Sequence, residues 1–85
     1  MKTNLYFVNF TRNNKTYCST KLFNSLNNLI DFFNNNFDFI EDTFTLRIFE
    51  DTGFGSTEIG YLQLTFSGFV ACRRNKKGEE EIIYE

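Results

Sequence analysis

Eighty-five residues make one domain, and a chain this short buries only about 60 to 65% of the surface its unfolded form exposes, so its core must be economical. Twelve Phe and four Tyr, each burying about 150 to 250 Å², can build that core without a disulfide or a metal. A net charge of −2 with no basic excess argues against a nucleic-acid binder, and a chain without His lacks the usual metal ligand and general base.

Charge is nevertheless uneven along the chain. Residues 1–30 carry Lys2, Arg12, Lys15 and Lys21 and no acid, whereas 31–58 carry Asp31, Asp38, Glu41, Asp42, Glu50, Asp51 and Glu58 against Arg47 alone. The first residues hold too short an apolar run for a signal segment, and no stretch approaches the length of a bilayer span. A cytoplasmic chain is expected.

Leu5–Phe10 is rich in strand formers and apolar on both faces, with Leu5 and Phe7 on one side and Tyr6, Val8 and Phe10 on the other. It reads as a central strand. Asn13 and Asn14 suit the left-handed pair of a two-residue hairpin turn, and a second strand over 16–23 would set Phe10 opposite Tyr17 and Phe7 opposite Thr20. Ser25 stands where a helix N-cap is wanted. Beyond it Leu26, Leu29, Ile30, Phe33 and Phe37 recur at helical spacing, with Asn27, Asn28, Asp31, Asn34 and Asn35 on the opposite side, which predicts one amphipathic helix ending near Asn36. About three turns of helix do not persist alone in water, so the helix needs a sheet beneath it.

Alternation of Phe44, Leu46 and Ile48 with Thr45, Arg47 and Phe49 predicts a third strand over 43–50. Residues 52–57 form a glycine-rich turn, and Ile59–Phe66 continues the alternation with Leu62, Leu64 and Phe66 on one side and Tyr61, Gln63 and Thr65 on the other. Gly68 marks a bulge or bend. Two last strands, 69–74 and 79–84, flank a loop of Asn75, Lys76, Lys77 and Gly78, with Arg74–Glu79 and Arg73–Glu80 as expected cross-strand pairs. The order β-β-α-β-β-β-β predicts an α+β domain spanning residues 1–85, a single antiparallel β-sheet with one amphipathic helix packed on one face. The other face has no second helix to cover it. Tyr6, Val8, Phe10, Tyr17, Phe49 and Tyr61 are the residues expected there, and an aromatic patch of that kind marks a partner site.

Several short patterns invite a chemical reading. Leu5-Tyr6-Phe7-Val8-Asn9-Phe10 resembles the first aromatic strand motif of the RNA recognition motif family, which implies base stacking on Tyr6, and Gly68-Phe69-Val70 faintly resembles the second. That family runs from the first motif into a helix, whereas a hairpin turn follows here. Asp51-Thr52-Gly53 resembles the aspartic protease triplet, but Glu50 and Phe54 replace the apolar and small neighbours that a shared-proton dyad requires, and a plain turn accounts for it. Gly53, Gly55 and Gly60 precede no Gly-Lys-Ser/Thr, and Asp38, Glu41 and Asp42 lack calcium-loop spacing. Cys18 and Cys72 sit far apart outside any paired motif and read as separate thiols, a disulfide being the alternative. No catalytic constellation, metal site or cofactor is expected.

In size and composition the chain resembles small phage-encoded inhibitor proteins of the anti-CRISPR and anti-restriction kind, which act stoichiometrically by covering a surface of a larger nuclease. That resemblance implies a protein-binding inhibitor or adaptor. Its expected contact residues are the acids Asp38, Glu41, Asp42, Glu50, Asp51 and Glu58, the aromatics Tyr6, Tyr17, Phe49 and Tyr61, or both sets. The partner would be a larger protein of a class that includes nucleic-acid-binding nuclease complexes. The alternatives are a single-stranded nucleic-acid binder using sheet aromatics and a structural homodimer.

Overall fold

Two asparagines set the first hairpin. Asn13 and Asn14 adopt φ of 54° and 63°, the left-handed pair that a tight hairpin turn requires, joining β1 (Leu5–Arg12) to β2 (Lys15–Ser19). The computed structural model describes residues 4–36 and 44–84. Pairing begins as the turn dictates, Arg12 with Lys15 and Thr11 with Thr16, then slips by one so that Phe10 lies opposite Cys18. The expected Phe10–Tyr17 pair is therefore not formed: Tyr17 is the extra residue of a β-bulge. The predicted second strand breaks after Ser19 and bridges β1 again where Tyr6 and Phe23 exchange backbone bonds of 2.9 and 2.7 Å. Between them Val8 donates its amide to Thr20 Oγ1 at 2.9 Å.

Ser25 caps α1 (Leu26–Asn36): its hydroxyl accepts the Asn28 amide at 3.1 Å and its carbonyl the Leu29 amide at 3.2 Å. Leu29, Ile30 and Phe33 are buried, while Asn27, Asn28, Asp31, Asn34 and Asn35 are exposed, as the spacing predicts; Phe37 lies outside the described residues. Asn34 does more than face water. Its Oδ1 accepts the Phe69 amide at 2.9 Å, tying the helix to the sheet.

Among the described residues the remaining strands are β3 (Thr45–Asp51), β4 (Ser56–Thr65), β5 (Gly68–Arg74) and β6 (Glu80–Tyr84). All six form one antiparallel sheet in the order β2-β1-β3-β4-β5-β6, with α1 carrying the chain from β2 past β1 to β3. Single-sheet α+β architecture is thus observed, with strand limits that differ in detail from those expected. Of the bulge or bend expected at Gly68 the bend is found: at φ 115° it closes a two-residue turn opposite Thr65. The last hairpin is shifted as well. Arg74 lies opposite Glu80 and Arg73 opposite Glu81, because Asn75 pairs with Glu79 and holds the turn by accepting the Lys77 and Glu79 amides on its side chain. The expected Arg74–Glu79 and Arg73–Glu80 pairs are each off by one.

The core lies between α1 and the sheet. Val8 and Ile48 pair and are fully buried, Leu46 and Leu62 pair beside them, and Phe69 and Ala71 close the layer from β5. Register decides which side of β1 this is: Val8 opposite Ile48 and Phe10 opposite Leu46 put Tyr6, Val8 and Phe10 under the helix. The expectation that these three line the uncovered face is therefore corrected. Cys18 and Cys72 are free thiols, the first exposed and the second buried.

Phe33, fully buried, has the Phe10 ring of β1 at 6.0 Å and the Phe69 ring of β5 at 5.6 Å. β1 and β5 are separated by β3 and β4, yet they are the strands that α1 approaches most closely, so the sheet curls toward the helix. Register shifts in the β1–β2, β3–β4 and β5–β6 pairs supply the extra twist that curling needs. Replacing Phe33 with Ala should lower the unfolding free energy by about 3–5 kcal/mol in a urea titration. Asn35→Ala, on the exposed side of the same helix, should stay within about 0.5 kcal/mol of the native chain.

Candidate functional site

Alternation along the strands sends every second side chain of β1, β3 and β4 away from α1. On that side Phe7 lies opposite Phe49 with rings stacked at 5.3 Å and 10°, Asn9 lies opposite Arg47, and Thr11 lies opposite Thr45. Arg47 lies opposite Tyr61 in turn and pairs with Glu58 at 3.3 Å, both side chains well exposed. No helix or strand of the described residues covers this face. Its aromatic members are Phe7, Phe49 and Tyr61, all half-buried.

Beside this stack, β4 and β5 part company. Their pairing runs from Thr65 opposite Gly68 only as far as Tyr61 opposite Cys72, whereas β4 stays paired with β3 down to Ser56. A concavity of about 480 Å³ opens where they separate, lined by Thr45, Arg47, Glu58, Ile59, Gly60, Tyr61, Arg73 and Arg74. Gly60 is needed at its root. A Cβ there would come within 2.1 Å of the Cys72 carbonyl oxygen, so only glycine lets the two backbones meet before they diverge.

Hydrogen bonds fix the far wall. Glu80 accepts the Tyr61 hydroxyl and, with the Gln63 amide nitrogen turned toward it, two further bonds at 2.9 and 3.1 Å. Arg73 pairs with Glu81 through Nε at 2.6 Å, and Arg74 donates through one terminal nitrogen to the Gly78 carbonyl at 3.2 Å. Each guanidinium has five N–H donors. Among the described residues, most of those on Arg73 and Arg74 remain unspent.

The other residues singled out by sequence do not gather here. Tyr6 is half-buried on the helix side, where burial and then the Glu50 carboxylate beside it hold its phenol above the usual value; stacking on a base would require an exposed ring. Tyr17 is exposed but sits edge-on to Phe44 at 5.7 Å, with Arg12 over both rings at 4.9 Å. Three of the six acids are engaged locally: Glu50 accepts from Asn4 at 3.0 Å, Asp51 Oδ1 accepts the Gly53 amide at 2.9 Å, and Glu58 faces Arg47. The Asp51-Thr52-Gly53 triplet is accordingly a turn. Asp38, Glu41 and Asp42 lie outside the described residues.

No family model, curated protein or solved structure matches the chain. Among the described residues there is no cluster of His, Cys, Asp and Glu able to hold a metal, and no helix long and apolar enough to cross a membrane. Phe7, Arg73 and Arg74 are not among the contact residues expected from sequence: alternation placed Phe7 on the covered side, and the arginines, expected as exposed ion pairs, were matched to acids one residue out of register.

Tyr61 reports on the wall of the concavity. Its phenol is pushed up to about 12, chiefly by the bond it donates to Glu80, then by burial and the Glu80 charge, with Arg74 pulling the other way. The neutral phenol is the form the fold favours, so its stabilising effect is complete below pH 10 and lost as pH rises through about 12. Absorbance titration at alkaline pH should show one tyrosine ionising near 12 that Tyr61→Phe removes and Glu80→Gln returns toward 10.

Proposed function

We propose that this chain is a non-enzymatic protein-binding module, a stoichiometric inhibitor or adaptor that seats the open face of its sheet on a larger protein. One observation carries the reading: α1 covers one side of the sheet, while the other side presents the stacked Phe7–Phe49 pair, Tyr61 and an arginine-lined concavity with no described element over them. Half-buried rings beside charged groups with spare donors have the make-up of a contact surface, an apolar anchor with a polar margin. The likeness in size and composition to phage-encoded inhibitors supports the same reading, with a nucleic-acid-binding nuclease complex in the host cytoplasm as the class of partner.

The acidic version of the docking surface receives less support. Glu50, Asp51 and Glu58 are each held by an intramolecular bond, and a carboxylate already bonded must break that contact before it can serve a partner's basic groove. Aromatic anchors carry no such cost.

Affinity capture from a lysate of the source organism, read by quantitative mass spectrometry, tests the reading with three variants whose circular dichroism matches the native chain. The protein captured by the native chain should be lost with Phe49→Thr/Tyr61→Thr and kept with Asn27→Arg/Asp31→Arg on the outer side of the helix. Retention by the first variant, or loss confined to Glu50→Lys/Asp51→Lys, would overturn it in favour of another surface.

A further inference from the structure

The concavity between β4 and β5 is also a gap in the sheet. β4 pairs with β3 as far as Ser56, but β5 leaves it at Tyr61, so among the described residues the side of Ser56–Gly60 turned away from β3 is a short unpaired strand edge inside an otherwise continuous sheet. Backbone N–H and C=O groups on such an edge are a template for one more extended strand. Sheets normally protect an edge by covering it or shortening it. Here the edge faces Arg73 and Arg74 across the gap, and Arg47 stands at its floor beside Glu58.

We propose that this gap binds an extended acidic segment of a protein partner, which pairs its backbone with Ser56–Gly60 and places its carboxylates on Arg73 and Arg74. The inference rests on the protein-binding reading and deepens it by naming the chemistry of the partner. Three features select this occupant. A strand edge asks for a peptide backbone, which nucleic acid does not have. The guanidinium groups of Arg73 and Arg74 each spend one nitrogen on a partner within the chain, leaving planar forks suited to a carboxylate. Finally, Glu58, Glu80 and Glu81 lie close to the arginines, so a continuous run of phosphates would meet repulsion that carboxylates spaced by uncharged residues reduce.

The test is an NMR titration of the full chain with the peptide acetyl-Glu-Ile-Asp-Val-Glu-amide, its uncharged counterpart acetyl-Gln-Ile-Asn-Val-Gln-amide, and an oligothymidylate. Saturable shifts are expected at the Thr57–Gly60 amides and at the Nε–H signals of Arg73 and Arg74, with slowed exchange of the β4 amides. High salt, or Arg73→Gln/Arg74→Gln, should weaken binding about threefold or more. Equal binding of the uncharged peptide would overturn the role of the arginines, absence of saturable shifts at Thr57–Gly60 would overturn the edge pairing, and tighter binding of the oligothymidylate at these residues would make nucleic acid the occupant. Because the peptide titration needs no captured partner, it can fail while the capture experiment succeeds on Phe49 and Tyr61; the open-face reading then stands and only the acidic occupant is lost.

Discussion

Phe33 is the contact on which the molecule closes. One fully buried ring on α1 meets Phe10 from β1 and Phe69 from β5, and these strands are not neighbours. In a flat sheet three strand spacings would hold their backbones about 14 Å apart. Bringing both close to one helix bends the layer around it, and a helix of eleven residues that would be marginal in water gains its stability from that enclosure. Leu29 and Ile30 enlarge the same contact, while Asn34 fastens the helix to the start of β5 by a bond to the Phe69 amide.

Bending has a consequence on the far side. A register shift between Ile48 and Phe49 inserts Ile59 as an extra residue in β4, and Gly60 follows directly, pressed against the Cys72 carbonyl. A bulge increases local twist, so beyond this point β4 follows β3 and β5 follows β6. The gap between them is therefore produced by the packing that forms the core. Its walls are held apart by strands that each have a paired neighbour on the other side, which makes it a feature of the sheet and not a fluctuation of a loop.

Local signals in this chain are strong where one period or one turn type decides the outcome. Helical spacing of Leu29, Ile30 and Phe33, the Ser25 cap and the Asn13–Asn14 turn each act over a few residues, and each is realised. What could not be read was parity. β1 is apolar on both sides, so alternation alone does not say whether Phe7 or Val8 points to the helix; pairing with β3 decides it by joining Val8 to Ile48. The bulge at Tyr17 and the Asn75–Glu79 pair moved two further registers by one residue, and in a strand one residue exchanges faces. Tyr6 and Phe7 were set on the wrong faces, and Arg73 and Arg74 were given the wrong acids, by this single kind of error.

Charge illustrates why composition alone misleads about the surface. The middle of the chain is acidic in sequence, yet Glu50, Asp51 and Glu58 are each absorbed by a neighbour: an asparagine amide, a turn amide and an arginine. Fewer basic residues leave more unspent donors, because a guanidinium that gives one bond still has four N–H groups to offer, while a carboxylate bonded once has lost much of its freedom to reorient. A chain of net charge −2 can therefore still present available hydrogen-bond donors on cations, here arginines set at the mouth of a gap that the fold itself opens.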